Sequence, residues 1–292
     1  MLGRHAYLIM CHTNFDQLKI LLDLLDDERN DLYLHIDKKA AGYSTDEIKQ
    51  TVKKSNLFFI TPMNASWGGD SLVRIEIRLL IEATKVYHDY YHLISGMDLP
   101  IKTQDEIHSF FSQHPRYDFV SLERDCPHNH TKNFMDRINY YYFFQNIIEK
   151  NKVSLASKLQ NASLIIQKKL KICRTKNITI EFQKGAQWFS ITHKTACYVV
   201  NEYKKYKNIF RFTFCPDEIF LQTILLHSPQ INTIIDDDLR YIDWKRGEPY
   251  TFRLEDYDLL IHSEKLFARK FNSTVDEAII YKIRDAIYKK TK

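Results

Sequence analysis

Along the first 125 residues, short β-like apolar runs alternate with longer stretches whose apolar residues recur at helical spacing. Residues 6–11 read as a strand, followed by a helix through Phe15, Leu18, Leu21, Leu22 and Leu25. Residues 32–36 form a second predicted strand ending on Asp37, and Ser44 with Glu47 makes a capping box for the next helix. A third strand at 57–60, a strongly periodic helix at 72–86 and a fourth strand at 90–95 follow. Thr103 with Glu106 caps a helix, and residues 117–122 are a fifth strand. Such alternation predicts βαβ units and a largely parallel sheet flanked by helices. Ligands of such sheets sit beyond the carboxyl ends of the strands. The loops at Asp37, Ser66–Trp67 and Asp98 therefore become the candidate binding site.

After Glu123 the alternation stops. Residues 126–180 mix His and Asn with an aromatic block at 140–144 and a basic run of Lys168, Lys169, Lys171, Arg174 and Lys176. Pattern returns with a strand at 187–192 and a helix at 195–206. Pro216 then opens a helix at its first turn, where proline fits. Two short strands and an amphipathic helix at 275–288, with a stripe of Ile279, Ile280, Ile283 and Ile287, complete the chain. There is no Gly-, Pro- or Ser-rich linker and no repeat. The expectation is one domain over 1–292, an α/β half (1–125) and a mixed half (126–292).

Composition removes several function classes. The chain has only 7 Gly among 292 residues, and neither G-x-G-x-x-G nor G-x-x-x-x-G-K-[ST] occurs, so glycine-loop recognition of dinucleotides or nucleotide triphosphates has no support. Any phosphate must be held by side chains. The net charge of +5 is mild for a nucleic-acid-binding domain. Five widely spaced cysteines without C-x-x-C argue against a zinc site or a disulfide scaffold and fit a reducing compartment. No stretch reaches the ~18 consecutive apolar residues of a membrane span, and the first residues do not form a signal segment. The expectation is a cytoplasmic protein.

Candidate chemistry is spread along the chain. Cys215–Pro216–Asp217–Glu218 opens a predicted helix with two carboxylates; the helix dipole alone would favour acids there, but Glu218 at a cavity rim would serve as a general base. Arg253 and Lys270, with Lys265 and Arg269 nearby, are either solvated surface charges or a planar fork and a point charge suited to a diphosphate. Asp236–Asp237–Asp238 looks like a metal-binding triplet, yet its setting reads as a solvated acidic turn between two strands. Asp98 alone is a poor divalent-cation site. His12, His35, His92 and His262 lack metal-ligand spacing and read as hydrogen-bonded structural residues. Trp67, Trp188 and Trp244 are suited to stacking on sugar faces or to core packing. The 168–176 run and the terminal lysines are either solvated faces or a site for anionic lipid or nucleic acid.

Six segments then occur in a telling order: 35–39 (HIDKK), 65–68 (ASWG), 95–102 (SGMDLPIK), 184–188 (KGAQW), 215–218 (CPDE) and 266–271 (LFARKF). Together they resemble the core-2/I-branching enzyme family, which includes β-1,6-N-acetylglucosaminyltransferases and peptide xylosyltransferases. The resemblance runs from about residue 5 to residue 272. It implies a GT-A-type fold, residues 1–125 binding a nucleotide sugar and 126–292 holding acceptor and catalytic groups. It also implies inverting transfer from a UDP-sugar (GlcNAc first, xylose next) to a glycan or lipid-linked saccharide, with no metal or other cofactor. Glu218 matches the family's catalytic base, Arg253 and Lys270 its diphosphate contacts, and His35 and Asp37 its nucleoside end. Trp67, Asp98, Gln187, Trp188, Asp217 and Trp244 fall in the sugar pocket. Arg246 replaces the family's aromatic acceptor contact, and the disulfide cysteines and N-terminal anchor of secreted members are absent. These departures suggest a bacterial, cytosolic member, with peripheral contact to the inner membrane face open. Two other readings stay open: a non-catalytic UDP- or carbohydrate-binding module, and a basic membrane-surface protein.

Overall fold

The fold is given by a computed structural model that describes residues 3–123, 130–148 and 153–291. Its first part runs β1 (His5–Cys11), α1 (Phe15–Leu25), β2 (Asn30–Ile36), α2 (Thr45–Thr51), β3 (Asn56–Ile60), α3 (Asp70–Ala83) and β4 (Tyr90–Ser95). Next come β5 (Asp98–Pro100), α4 (Gln104–Gln113), β6 (Asp118–Val120), α5 (His130–Asn139), α6 (Leu155–Lys169), β7 (Phe189–Thr192), α7 (His193–Phe210) and α8 (Phe220–Leu226). The chain ends with β8 (Ile234–Ile235), β9 (Arg240–Ile242), α9 (Tyr257–Ile261), β10 (Phe267–Arg269) and α10 (Ala278–Thr291).

The main sheet has the order β3-β2-β1-β4-β7-β6-β8, and β7 alone runs antiparallel to both its neighbours. A second sheet, β5-β10-β9, lies beside it. The mixed, mostly parallel α/β sheet expected from the alternation is therefore present. Period-two burial explains why both faces are apolar. Tyr7, Ile9 and Cys11 of β1 pack with α1, the second sheet and α10, whereas Ala6 and Leu8 pack with α3, α7 and α8.

Several expectations are corrected. The 117–122 strand shortens to β6, and β5, which the alternation did not signal, pairs antiparallel with β10. The 126–180 stretch, read as patternless, contains α5 and α6; Cys126 lies outside the described residues. Pro216 does not open an α-helix. Residues 216–218 make one 3-10 turn that stops at Ile219 (φ −132°), because the Glu218 carbonyl accepts from Gly185 N at 3.0 Å instead of continuing the helix. The final helix starts at Ala278, where Asp276 Oδ1 accepts from Ile279 N, and all four isoleucines of its stripe are buried against the core. The acidic triplet does lie between β8 and β9, but it is not simply solvated: Asp236, Asp237 and Asp238 accept from the amides of Leu122, Leu239 and Arg240.

Candidate active site

The order β3-β2-β1-β4 places a topological switch between β1 and β4, where open α/β sheets bind their ligands. The two strand ends touch there: a Cβ on Gly96 would lie 2.8 Å from Cys11 Sγ, so only glycine lets the loop after β4 approach. Asp37 follows β2 and is nearly buried, accepting from the amides of Lys39 (2.9 Å) and Ala65 (3.3 Å). His35 takes the Met63 amide on Nε2 at 2.9 Å, and burial holds its pKa down at about 4. Both residues thus tie the 37–39 and 63–65 loops to the sheet edge.

His12, read as structural in the sequence, stands at this edge. Burial lowers its pKa; the Asp37 charge opposes that and Lys270 and Lys39 add to it, so all three charges lie within electrostatic reach of the imidazole. A cavity of about 500 Å³ opens beside it, lined by His12, Thr13, Phe15, Gly42 and Tyr43 among others. Phe15 and Tyr43 pair their rings 4.6 Å apart in its wall. Arg253 joins Lys270 through the backbone: Phe252 N donates to Lys270 O at 2.9 Å, and Lys270 N to Tyr250 O. The two cations thus sit on paired segments, with Arg253 exposed.

The Glu218 turn is assembled from four distant segments. Cys215 is left-handed (φ 47°), and its amide donates to Gly68 O at 2.8 Å. Gly68 is itself at φ 69°, and a Cβ there would lie 2.8 Å from the Phe214 ring. Trp67 packs edge-on against Phe214 and stays 46% exposed. Gln145 donates to Trp67 O, and Ser66 Oγ to Asn146 O, so residues 145–146 clamp the same loop. Glu218, partly exposed, accepts from Arg137 Nη1 at 2.7 Å.

Behind Glu218 lies a buried acidic pair. Burial, with the Glu218 charge second, pushes Asp217 up to about 7. Glu76 of α3 is fully buried and raised well above the usual carboxylate range by burial and then by Asp217; Gln187 Nε2, donating to its Oε1 at 2.7 Å, opposes the rise. Asp217 Oδ1 and Glu76 Oε2 find no hydrogen-bond partner among the described residues.

Asp98 and Trp188 are brought together by Arg269, whose guanidinium lies 3.9 Å from the Trp188 ring centre and 3.5 Å from Asp98 Oδ1. Asp98 is fully buried and also accepts from Ser95 N and Oγ. Trp244 is 64% exposed in the 243–250 loop, which Tyr250 N closes on Asp243 O. Arg246 pairs with Asp243 inside this loop and with Asp256 beyond it, and lies 4.0 Å from the Tyr250 ring centre. Among the described residues, no group of three or more His, Cys, Asp or Glu side chains is placed to hold a metal ion.

The family model for Core-2/I-Branching enzyme matches residues 5–263. The chain belongs to the core-2/I-branching enzyme family of glycosyltransferases. Xylosyltransferase 2 of Canis lupus familiaris is 25% identical over 306 residues, covering 95% of this chain and 33% of that protein. Xylosyltransferase 1 of the same animal is 24% identical over 314 residues, covering 98% of this chain and 31% of its own length. The chain thus spans about a third of the length of these relatives. A solved structure, apo mouse xyloside xylosyltransferase 1, aligns over 90% of this chain and 96% of its own at 8% identity and a TM-score of 0.37.

The sequence did not single out Arg137 or Glu76, and read His12 as structural, although all three lie beside candidate residues of this core-2/I-branching family member. Glu76 carried a signal: it shares the Val73–Leu80–Ala83 stripe of α3, an acid on a face that must be buried. Arg137 carried none, because its partner is 81 residues away.

Proposed function

We propose that the chain is an inverting, GT-A-type glycosyltransferase that moves a sugar from a UDP-sugar to a hydroxyl of a glycan or lipid-linked saccharide, with Glu218 as general base. The observation that carries this reading is the Glu218 turn itself. A family-motif glutamate is presented at the surface by a left-handed Cys215, oriented by Arg137 and backed by buried Asp217 and Glu76. Glu218 would take the proton of the acceptor hydroxyl as its oxygen attacks the anomeric carbon. The bond to UDP breaks on the opposite face, its electron pair leaving with the diphosphate. General-base help of this kind contributes about 10²–10⁴-fold. Lys270 and Arg253 would hold the departing charge, and the cavity walled by Phe15 and Tyr43 suits the nucleoside. Trp67 and Trp244, the two exposed tryptophans, are suited to the sugar faces.

The sequence ranked GlcNAc ahead of xylose; the names of the relatives make UDP-xylose the first donor to test. The experiment is release of UDP from UDP-xylose, UDP-GlcNAc, UDP-galactose and UDP-glucose in excess EDTA, with thermal shift by UDP read in parallel. One donor hydrolysed or transferred in EDTA is the expected result. A UDP-induced shift without turnover of any donor would favour the binding-module reading. Turnover only with added Mn²⁺ would overturn metal independence.

A further inference from the structure

The fold treats two of its lysine-bearing amphipathic helices, α10 and α6, oppositely. In α10 the isoleucine stripe is buried against the core. In α6 the polar face is the one turned inward. Gln160 and Gln167, seven residues apart, are both buried and bind the backbone of the aromatic block: Gln160 accepts from Phe144 N at 3.0 Å and donates to Tyr141 O, and Gln167 accepts from Tyr141 N at 2.7 Å. Two turns of helix separate them, so they share one face. The apolar residues of α6 are consequently outside. Leu155 is 73% exposed, Leu159 46%, Ile166 56% and, just after the helix, Leu170 68%. Their spacing (i, i+4, i+11, i+15) lines one stripe.

Residues 153–180 contain six cations, Lys158, Lys168, Lys169, Lys171, Arg174 and Lys176, and no Asp or Glu. Arg174 is used internally, donating to Tyr140 O and Ile209 O. The five lysines are exposed, with Lys168 paired to Asp136 at 3.0 Å. Lys158 and Lys169 fall beside the apolar stripe at helical spacing, the pattern of a helix that lies in a lipid interface. We propose that α6 and the segment to residue 176 dock on an anionic bilayer surface, with Leu155, Leu159, Ile166 and Leu170 entering the acyl boundary and the lysines meeting lipid phosphates. A second copy of this chain fits the face less well, since a two-fold pairing would set lysines against lysines. Nucleic acid leaves the leucine stripe without a partner. The patch is also tied to the catalytic turn: Arg174 N donates to Asn139 O, two residues after Arg137, which holds Glu218. Docking there would set the Glu218 side of the molecule near a saccharide carried on lipid; that consequence rests on the proposed function, whereas the docking itself does not.

The test is flotation of the full chain with phosphatidylcholine vesicles, with and without roughly one-third phosphatidylglycerol. Binding to the anionic vesicles only, falling as salt is raised, is expected. Leu159→Ser with Ile166→Ser should weaken it by about tenfold or more, and Lys158→Gln with Lys169→Gln by roughly thirtyfold. All four side chains are exposed, so unchanged thermal unfolding should accompany both losses. No binding to anionic vesicles, or binding that both double variants retain, overturns the proposal. A concentration-dependent dimer that Leu159→Ser with Ile166→Ser dissolves also overturns it and assigns the face to a second copy.

Discussion

Two acidic turns lie near the late part of the sheet, and they differ in how their carboxylates are satisfied. In the 236–238 turn each acid has a backbone amide, and Asp237 also binds Lys265 at 2.6 Å. In the 216–218 turn Glu218 holds one arginine, and Asp217 and Glu76 each keep a buried oxygen without a partner among the described residues. Satisfied carboxylates fasten a loop. Under-satisfied ones are costly to bury; burial raises the proton affinity of Asp217 and Glu76, and of Asp238 in the first turn as well, so the missing partners rather than the shift separate the two turns. Three acids in a row therefore fasten a loop here, whereas the two acids after Pro216 remain the candidates for chemistry.

Substitution should separate the two turns. Glu218→Gln should lower transfer by about 10²–10⁴-fold while UDP still shifts the melting temperature, whereas Asp237→Asn should leave turnover nearly unchanged. Comparable losses from both variants would erase the distinction. The next largest effect is on stability. Folding raises the Asp217 pKa from its ordinary value near 4 to about 7, so across that window the folded state binds more protons than the unfolded one. Its contribution to stability accordingly falls as pH rises from about 4 to 7. Asp217→Asn should remove this slope and stabilise the fold at pH 8 by on the order of a few kcal/mol in denaturant unfolding; a destabilised variant at pH 8 would contradict the assignment. The smallest effect belongs to the satisfied turn. Asp238→Ala strips the Arg240 amide of its acceptor beside a fully buried guanidinium and should destabilise by about 1–3 kcal/mol at all pH values near neutral. A stabilising result would show that this acid is as poorly accommodated as Asp217.

The helices repeat the lesson. The stripe on α10 was readable from Ile279, Ile280, Ile283 and Ile287 and is buried as an amphipathic pattern predicts. The helical spacing of Leu155, Leu159 and Ile166 was equally present in the sequence. What could not be read was the side that faces the protein, because Gln160 and Gln167 find their partners in the backbone at 141–144. Polarity predicts burial only where the core offers no hydrogen bonds.

The sequence by itself determined the βα alternation of the first half, the parallel strands buried on both faces, the scarcity of glycine that excludes phosphate loops, and the ordered motifs that place the chain in its family. Each of these is local: periodicity, capping and turn chemistry act over a few residues. Tertiary structure alone decided that Arg137 grips Glu218, that Glu76 lies behind Asp217, that Lys270 shares the surroundings of His12 and Asp37, and that Arg269 binds Asp98 to Trp188. Those contacts join residues tens to hundreds of positions apart. They depend on where the chain returns to the sheet edge, and no local pattern encodes that return.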